Sequence, residues 1–375
     1  MGPEEERVLA YRAAILLRML TGWGRRRVWR TLRELGYNVS LNTLNDWFHR
    51  GKKPRFELTA LEKSLFYHEA HRLVLETKRE HPEWSYKRLA VYVSRHLPVK
   101  VPHTTVLYWL RGLGRPNVTP VKPCPALGYL TGVLVGDYTR SREGVGLHVK
   151  DREFIEYFAE MYEKVTGTKP KVKPGKDGYY HTYERASWLK ELWYSGLWKV
   201  VAYACPVEFL KGLYDSEGAV VPRVNKKKRM LDTVGVCLAT GSPEVKNLAK
   251  RILEDLGFEP KEYREPPKVK ALGGSFRVFG EYWQLRFNGW DALERFATIV
   301  GFREGKRRRR LELLLRIRHL PPRERYREWT KHYEKRNDRW VERGPKPRRA
   351  PSVLSHLIFD WTYCFHNINV KPKSF

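Results

Sequence analysis

The chain contains little of what disulfide, zinc or membrane proteins need. Its four cysteines, Cys124, Cys205, Cys237 and Cys364, lie far apart and form no CxxC pair, which argues against a disulfide framework or a zinc site. We expect buried thiols in a reducing compartment. No apolar run approaches the ~18 residues of a membrane span, and no signal segment with a charged start and an apolar centre opens the chain.

Motifs for several other chemistries are missing as well. The sequence has no GxxxxGKS or GxxxxGKT phosphate loop, so neither NTP hydrolysis nor a nucleotide cofactor is predicted. It has no HExxH motif, and its ends lack the terminal residues of a self-splicing protein, so we expect a free-standing protein. A single glutamine beside abundant Arg, Lys and Glu is a bias reported for proteins of hot environments.

Acidic residues are scarce relative to basic ones. The chain has 72 Lys and Arg against 42 Asp and Glu, which gives a net charge of +30. Such an excess is self-repelling unless a polyanion offsets it, and nucleic acid is the leading partner. An anionic membrane surface is the alternative, which the lack of a span or signal disfavours. We therefore expect a cytoplasmic protein that is associated with the nucleoid through DNA.

Three regions follow one another along the chain. Residues 1–120 have helical patterns, residues 125–302 mix apolar helices with alternating strand patterns, and residues 303–375 form a basic extension broken by prolines. Prolines at 120, 123 and 125 indicate a semi-rigid linker between the first two regions. In the extension, the basic run 306–310 opens a leucine-rich helix, which we interpret either as a DNA-flanking arm or as a helix packed on the preceding region.

The first region contains an internal repeat. Residues 39–48 match residues 101–110 at a constant offset of 62. Each copy follows a basic helix and a short turn, and the pattern resembles the helix-turn-helix modules of transposases and recombinases. We therefore predict one module at residues 1–58 and another at residues 59–120. The alternative is a pair of ordinary helical hairpins that only pack together.

In helix-turn-helix modules the second helix enters the major groove of DNA by its N-terminal face. The spacing predicts that Leu44, Trp47, Val106 and Trp109 face the core. The exposed positions, which we predict to contact DNA, are Asn42, Asn45, His49, Thr104, Tyr108 and Arg111.

A second repeat carries the predicted chemistry. Residues 127–138 read LGYLTGVLVGDY and residues 207–218 read VEFLKGLYDSEG, at an offset of 80. Gly132 and Gly136 share one helix face, as their counterparts Gly212 and Ser216 do, and small residues at this spacing let two helix backbones approach closely. One copy alone would be typical of plain core packing, but two copies in register favour a functional pair.

Each helix of this pair ends in one acidic residue, Asp137 or Glu217. Side by side, the two carboxylates would meet near the negative ends of two helix dipoles and repel each other. A divalent cation relieves that repulsion, and oxygen-only ligands suit Mg²⁺ or Mn²⁺ rather than Zn²⁺. We predict that Asp137 and Glu217 hold Mg²⁺ together with the backbone carbonyls of Gly136 and Ser216.

These motifs resemble the LAGLIDADG family of homing endonucleases, in its single-chain form with two motifs. The resemblance implies an α+β fold in which two pseudo-symmetric αββαββα halves, residues 125–200 and 201–302, form a saddle over DNA. Val135 departs from the family pattern where a first Asp is frequent, and Asp215 keeps that Asp in the second copy. Tyr138 replaces the usual terminal glycine, which puts the local turn geometry in doubt.

After each motif the family pattern continues with two strands, a helix, two strands and a helix. The middle helices are predicted at Asp151–Gly167 and Ser242–Gly257, each ended by a glycine. Strands are predicted within residues 143–150, 169–185, 219–239 and 259–288, and closing helices from residue 187 and at residues 290–300.

Strand alternation places one set of side chains on the inner face of the saddle. Basic residues are plentiful there and would track phosphates, although any single one is also typical of a solvated surface charge. The predicted DNA-binding set is Lys171, Lys173, Arg223, Lys226, Lys227, Lys228, Arg229, Lys268, Lys270, Arg277 and Arg286.

The family also places a lysine near each metal site, on the strand before the middle helix. Lys150 occupies that place in the first half, so the resemblance implies a catalytic role in polarising the attacking water or the phosphate. The alternative is an ordinary strand-end lysine. The matching place in the second half falls near Thr240 and Gly241, with no lysine.

The resemblance implies a site-specific endonuclease that cleaves both strands of a long, asymmetric DNA site as a monomer, often encoded within an intron. The first alternative is a protein of this fold that binds nucleic acid without cutting, as an RNA maturase or a transcription regulator. A third possibility is an architectural DNA protein, which the charge alone would permit. The two retained acids favour the nuclease.

Overall fold

The computed structural model describes residues 2–54, 56–137, 139–140, 145–272, 275–336 and 339–343. Tyr138, Cys364 and the end of the basic extension therefore lie outside the described residues. Within this part of the chain, no helix combines the length and apolar character that crossing a membrane requires. The described residues form two compact units, one within residues 1–222 and 233–315 and one within residues 223–232 and 316–343.

The N-terminal region is entirely helical, as predicted. Its six helices are α1 (Pro3–Thr21), α2 (Arg25–Glu34), α3 (Leu41–His49), α4 (Ala60–Glu80), α5 (Tyr86–His96) and α6 (His103–Leu110). Three of them, α3, α4 and α5, begin with side-chain caps that satisfy free backbone N–H groups. Thr59 and Glu62 form a capping box on α4, and the Ser40 hydroxyl accepts from the backbone N–H of Thr43 on α3.

The repeat in this region is a repeat of structure, with α2–α3 matched by α5–α6. Leu44 and Trp47 of α3 are buried, and so are Val106 and Trp109 of α6. This confirms the predicted core-facing positions of both second helices. The two copies differ at the start of the second helix. Ser40 caps α3 with its side chain, whereas Pro102, at the same position before α6, has no side chain that can cap.

The first predicted half contains α7 (Pro125–Val135), β1 (Thr139–Arg140), β2 (Val145–Val149), α8 (Arg152–Thr166), β3 (Lys173–Pro174), β4 (Tyr180–Glu184), α9 (Ser187–Tyr194) and α10 (Trp198–Ala204). Its strands form an antiparallel sheet in the order β1-β2-β4-β3. The buried strand positions Val145, Leu147 and Thr182 face the helices. Gly167 ends α8 in the left-handed conformation, as predicted.

The second predicted half repeats the pattern with α11 (Pro206–Glu217), β5 (Gly218–Asn225), β6 (Met230–Thr240), α12 (Pro243–Asp255), β7 (Lys261–Glu265), β8 (Lys268–Leu272), β9 (Ser275–Phe279), β10 (Tyr282–Asn288) and α13 (Trp290–Ile299). The sheet order is β5-β6-β10-β7, and β10 pairs antiparallel with both of its neighbours. Strands β8 and β9 form a separate two-stranded hairpin, which the sequence pattern did not predict. The α+β fold with an N-terminal helical region is thus confirmed.

One hydrophobic core joins the N-terminal helices to the first sheet and its helices. It runs from Ala10 of α1 to Val201 of α10, and α1 packs on α10 while α4 packs on α9. The proline-rich segment between them is held on both sides, because the Val121 N–H bonds to Ser64 O at 2.9 Å and the Lys122 N–H to Val165 O at 2.8 Å. The helical region is therefore fixed to the body of the protein.

The basic extension begins with α14 (Gly305–Ile317), whose Leu311, Leu313 and Leu314 are buried. The second compact unit contains α15 (Pro322–His332) and the hairpin of β11 (Tyr333–Arg336) and β12 (Arg339–Glu342). Trp329, Tyr333 and Trp340 form its aromatic centre, with ring centroids 4.2 and 5.8 Å from that of Trp329.

Candidate active site

The candidate site is built by the close approach of α7 and α11. A Cβ atom placed on Gly132 would lie 2.2 Å from the carbonyl oxygen of Phe209, and one on Gly212 would lie 2.2 Å from that of Tyr129. Both separations are shorter than any real Cβ contact, so the two backbones touch where the glycines are. The small residues predicted from the sequence spacing are required by this contact.

These contacts are reciprocal. Position 132 meets position 209 as position 212 meets position 129, and each pair is related by the offset of 80 between the two sequence repeats. A repeated sequence that packs against its own copy in this way generates a local pseudo-twofold axis. The axis relates the two helix ends, so it also relates the acids that follow them.

Asp137 and Glu217 lie at these neighbouring helix ends. Asp137 follows the last turn of α7, with its N–H bonded to Val133 O at 3.1 Å, and Glu217 is the last residue of α11. A Cβ on Gly136 would lie 2.4 Å from Ser216 Cβ and 3.3 Å from Glu217 Cγ. The four positions predicted as metal ligands are therefore adjacent in the structure.

The two acids influence each other's protonation. Burial raises the pKa of Glu217, and the nearby negative charge of Asp137 raises it further. Burial also raises the pKa of Asp137, while the Arg307 guanidinium lowers it and Glu304 raises it. The Arg307 guanidinium lowers the pKa of Glu217 as well. At both carboxylates the effects that raise the pKa outweigh the lowering effect of Arg307.

Asp215 lies in the last turn of α11, two residues before Glu217, and holds neighbouring parts of the chain together. It is fully buried, and its carboxylate accepts hydrogen bonds from Arg303 N–H at 2.6 Å, Glu304 N–H at 3.1 Å and the Tyr129 hydroxyl at 2.9 Å. Burial raises its pKa to about 6, against the lowering effect of these donors. This carboxylate fastens the chain before α14 to both central helices, a role that its place in the motif did not reveal.

Arg307 of α14 is a site residue that the sequence analysis missed. Its guanidinium donates to the backbone carbonyls of Asp215 and Ser216, the latter at 3.0 Å. The sequence signal was the basic run 306–310, which indicated DNA binding in general but gave no reason to single out one arginine. Only the return of α14 to the end of α11 identifies it.

The residues present fit a hard divalent cation. Two carboxylates with raised pKa values meet at the negative ends of two helices, and all nearby ligand atoms are oxygens, which suits Mg²⁺, Mn²⁺ or Ca²⁺. Within the described ranges, no cluster of three or more His, Cys, Asp or Glu side chains is placed to hold a metal. Any ion here would therefore depend on backbone carbonyls, water or substrate oxygens for the rest of its coordination.

Lys150 lies just beyond the end of β2, at the edge of the first sheet. Its ammonium group is 4.7 Å from the centre of the Tyr179 ring, which also stacks on His148 at 4.5 Å. His148 in turn pairs with Asp177 at 3.1 Å. Lys150 thus belongs to a polar and aromatic group on the sheet, and its predicted role in catalysis stays a prediction.

The predicted DNA-binding residues fall on several surfaces. Exposed side chains on the sheets and their turn are Lys171, Lys173, Arg223, Lys226, Lys227, Lys228 and Arg229. Exposed side chains on the second helices of the repeat are Asn42, His49, Thr104, Tyr108 and Arg111. Asn45 is half-buried and accepts from Arg25. Arg286 is half-buried and donates to Gln284 at 2.7 Å. The side chains of Lys268, Lys270 and Arg277 lie outside the described part, although Lys270 and Arg277 are paired in the β8–β9 hairpin.

One family model and two relatives match this chain in sequence. Residues 204–301 match the family described as a LAGLIDADG-like domain. Two uncharacterised proteins of Methanocaldococcus jannaschii are similar in sequence: one is 23% identical over 62% of this chain and 88% of its own length, and the other 28% identical over 39% and 59%. The matched segment contains α11 with Glu217, so this part of the chain is similar to LAGLIDADG-like domains.

Solved structures with partial similarity include two homing endonucleases. The first is I-DmoI in complex with DNA and Ca, at 16% identity and a TM-score of 0.33, covering 50% of this chain and 97% of that one. The second is the meganuclease I-AabMI bound to uncleaved DNA, at 11% identity and a TM-score of 0.33, covering 54% and 96%. The N-terminal LAGLIDADG domain of DUF199/WhiA aligns with a TM-score of 0.30 and 10% identity, over 65% and 94%.

Proposed function

We propose that this protein is a DNA endonuclease that uses a divalent metal ion, for which Mg²⁺ is the expected ion and Mn²⁺ a substitute. The observation behind the proposal is the meeting of Asp137 and Glu217 at the ends of two helices in backbone contact. The two carboxylates at these closely packed helix ends have raised pKa values and repel each other when both are ionised. A bound cation would relieve that repulsion. The net charge of +30 supplies the attraction for a polyanionic substrate.

The residues divide the work of phosphodiester hydrolysis. A divalent ion bound here would make a water molecule more acidic and would stabilise the charge that develops on the phosphate. The carboxylates of Asp137 and Glu217 would hold and orient it, with the carbonyl groups of Gly136 and Ser216 as further oxygen ligands. Lys150 would stand near the first half's reaction centre and polarise the attacking water or the phosphate.

Duplex DNA would be bound by two kinds of surface. The exposed basic residues of the two sheets would follow the phosphates, and the exposed positions of α3 and α6 would enter the major groove. Because both halves lie in one chain and differ in sequence, we infer an asymmetric site that is bound by a monomer. A DNA partner of this kind would place the protein in the cytoplasm, on the nucleoid.

The test is cleavage and binding measured side by side. Asp137→Asn and Glu217→Gln keep the shape of each side chain and remove its charge. Plasmid cleavage with Mg²⁺ or Mn²⁺ should fall by about two orders of magnitude or more in either variant, since metal-derived stabilisation supplies several kcal/mol. Gel-shift affinity should stay the same or increase slightly, because the variant no longer has a carboxylate beside the DNA phosphates.

Two outcomes would contradict the proposal in different ways. A variant that cleaves at the wild-type rate would show that the assigned acids are not the metal site. A wild-type protein that binds DNA tightly but never cuts it with either ion would favour the alternative function. The retained fold would then serve a nucleic-acid binder without cleavage, such as a regulator or a maturase.

A further inference from the structure

Arg307 occupies an unusual place for a residue outside the two repeats. It lies in the first turn of α14, after both halves are complete, yet its guanidinium caps the C-terminal end of α11. Two N–H groups reach two successive carbonyl oxygens, of Asp215 and Ser216. A cation at a helix C-terminus opposes the helix dipole, and the planar guanidinium can bridge two acceptors where a lysine cannot.

The start of α14 is held on several sides. The Glu304 carboxylate accepts from the Arg307 N–H at 2.6 Å, and the Gly305 N–H donates to Asp151 at 3.2 Å. Arg308 pairs with Glu153 of α8 at 2.5 Å, so the first half also anchors this helix. The first turn of α14 is therefore held by contacts with both halves, and the guanidinium of Arg307 lies at the carbonyl end of α11.

The two halves differ in the cations that they themselves provide. In the first half, Lys150 follows β2. The corresponding strand of the second half is β6, which ends at Thr240 and is followed by Gly241. Arg307 instead places a cation at the end of α11, where its guanidinium donates to the carbonyls of Asp215 and Ser216. The symmetry of the helix pair is thus broken at the level of charge.

We propose that Arg307 is a positioning residue of the second half, which takes the electrostatic place of the lysine that this half lacks. It would fix the carbonyl end of α11 beside Glu217 and offset the repulsion between the two acids. The inference rests on the proposed nuclease function. Its consequence is that the two strands of the DNA depend on different cations, Lys150 for one strand and Arg307 for the other.

The test follows each strand separately on a duplex labelled at both 5′ ends. Arg307→Gln should slow cleavage of one strand by about tenfold or more, the scale of removing one electrostatic interaction at a reaction centre. The other strand should keep a rate close to wild type, so nicked duplex accumulates. Lys150→Gln should slow the opposite strand. Lys164→Gln removes the same charge from an exposed side chain of α8, outside the predicted binding set, and should change neither rate.

Two further measurements separate positioning from general support. Arg307→Lys keeps the charge but cannot span two carbonyls, so it should restore part of the cleavage rate. Mn²⁺ binding, followed by electron paramagnetic resonance without DNA, should be no weaker in Arg307→Gln than in wild type, because a positive charge beside the acids is removed. Thermal melting of both variants shows whether they are folded.

Several results would overturn the inference. Equal slowing of both strands together with abolished Mn²⁺ binding would make Arg307 a support of the whole site, and unchanged rates would give it no role. In both cases wild-type cleavage would still stand, so the proposed function would survive. A wild-type protein that cuts neither strand would instead refute the function, and this inference with it.

Discussion

At the scale of single residues, the three carboxylates at the two neighbouring helix ends have different surroundings. Asp137 and Glu217 have few donors and raised pKa values, whereas Asp215 is enclosed by Arg303 N–H, Glu304 N–H and the Tyr129 hydroxyl. A carboxylate whose oxygens already accept three hydrogen bonds has little capacity left for a metal ion. We therefore propose that Asp215 stabilises the fold and that Asp137 and Glu217 bind the metal ion.

Substitutions of Asp215 test this assignment. Asp215→Ala leaves buried donors without acceptors and should destabilise the fold by roughly 2–5 kcal/mol. Asp215→Asn should melt near wild type and retain cleavage, because its carbonyl can accept both backbone N–H groups and its amide can donate to Tyr129. Tyr129→Phe, which removes one of the three bonds, should cost about 1 kcal/mol. Urea unfolding measures all three, and loss of cleavage in a stable Asp215→Asn protein would return this acid to the metal site.

At the scale of elements, the packing of α7 on α11 admits no added atom at its glycines. Gly132→Ala or Gly212→Ala would place a methyl group 2.2 Å from a backbone carbonyl of the facing helix, which cannot yield as a flexible side chain would. Each substitution should separate the helices, with a decrease of roughly 3 kcal/mol or more in unfolding free energy.

A matched glycine provides the control for this prediction. Gly24 has φ of −69° and no atom within 4 Å of a built Cβ, so Gly24→Ala should cost less than about 1 kcal/mol. Thermal melting of the three variants compares them directly. Near-wild-type stability of Gly132→Ala and Gly212→Ala together would mean that the two helices do not touch as described.

The elements predicted from sequence were those with local signals. Asp151 and Ser242 cap their helices through side-chain bonds to the third backbone N–H, and Gly167 and Gly257 have the positive φ values that end a helix. The glycine spacing likewise predicted the helix pair and its two acids. All of these signals lie within a few residues of the structure that they predict.

The features missed by sequence reasoning depend on distant parts of the chain. Arg307 matters because α14 returns to a helix end that is about 90 residues earlier in sequence, and Asp215 matters because the chain after α13 folds back to meet it. The β8–β9 hairpin lies between two paired strands without joining their sheet, although its alternation is typical of a sheet strand. No local sequence pattern distinguishes a strand of the sheet from a strand of such a separate hairpin.

At the scale of the whole compact unit, the N-terminal helices belong to the same unit as residues 125–222 and 233–302. Tyr11 donates to Pro98 O at 2.5 Å, which ties the two helical modules together, and Tyr203 donates to Glu34 at 2.5 Å, which ties them to α10. The shared core from α1 to α10 packs α1, α2 and α3 on the first half, and Leu61 of α4 belongs to the same core. A DNA site bound by both parts should therefore have one fixed spacing.

This spacing can be measured once a bound sequence has been selected from a random duplex library with the full chain and footprinted. Insertion of one or two base pairs between the segments protected by the helical region and by the two halves shifts them by about 3.4 Å and 34° each, since about ten base pairs complete a turn. A rigid protein cannot follow, so affinity should fall towards that of the halves alone. The slope of log affinity against log salt should become shallower by about 0.9 for each phosphate that the protein no longer reaches.

The same insertions placed outside the footprint should have no effect. Unchanged affinity across insertions of one to about five base pairs, half a helical turn, would show that the helical region moves independently, contrary to the shared core.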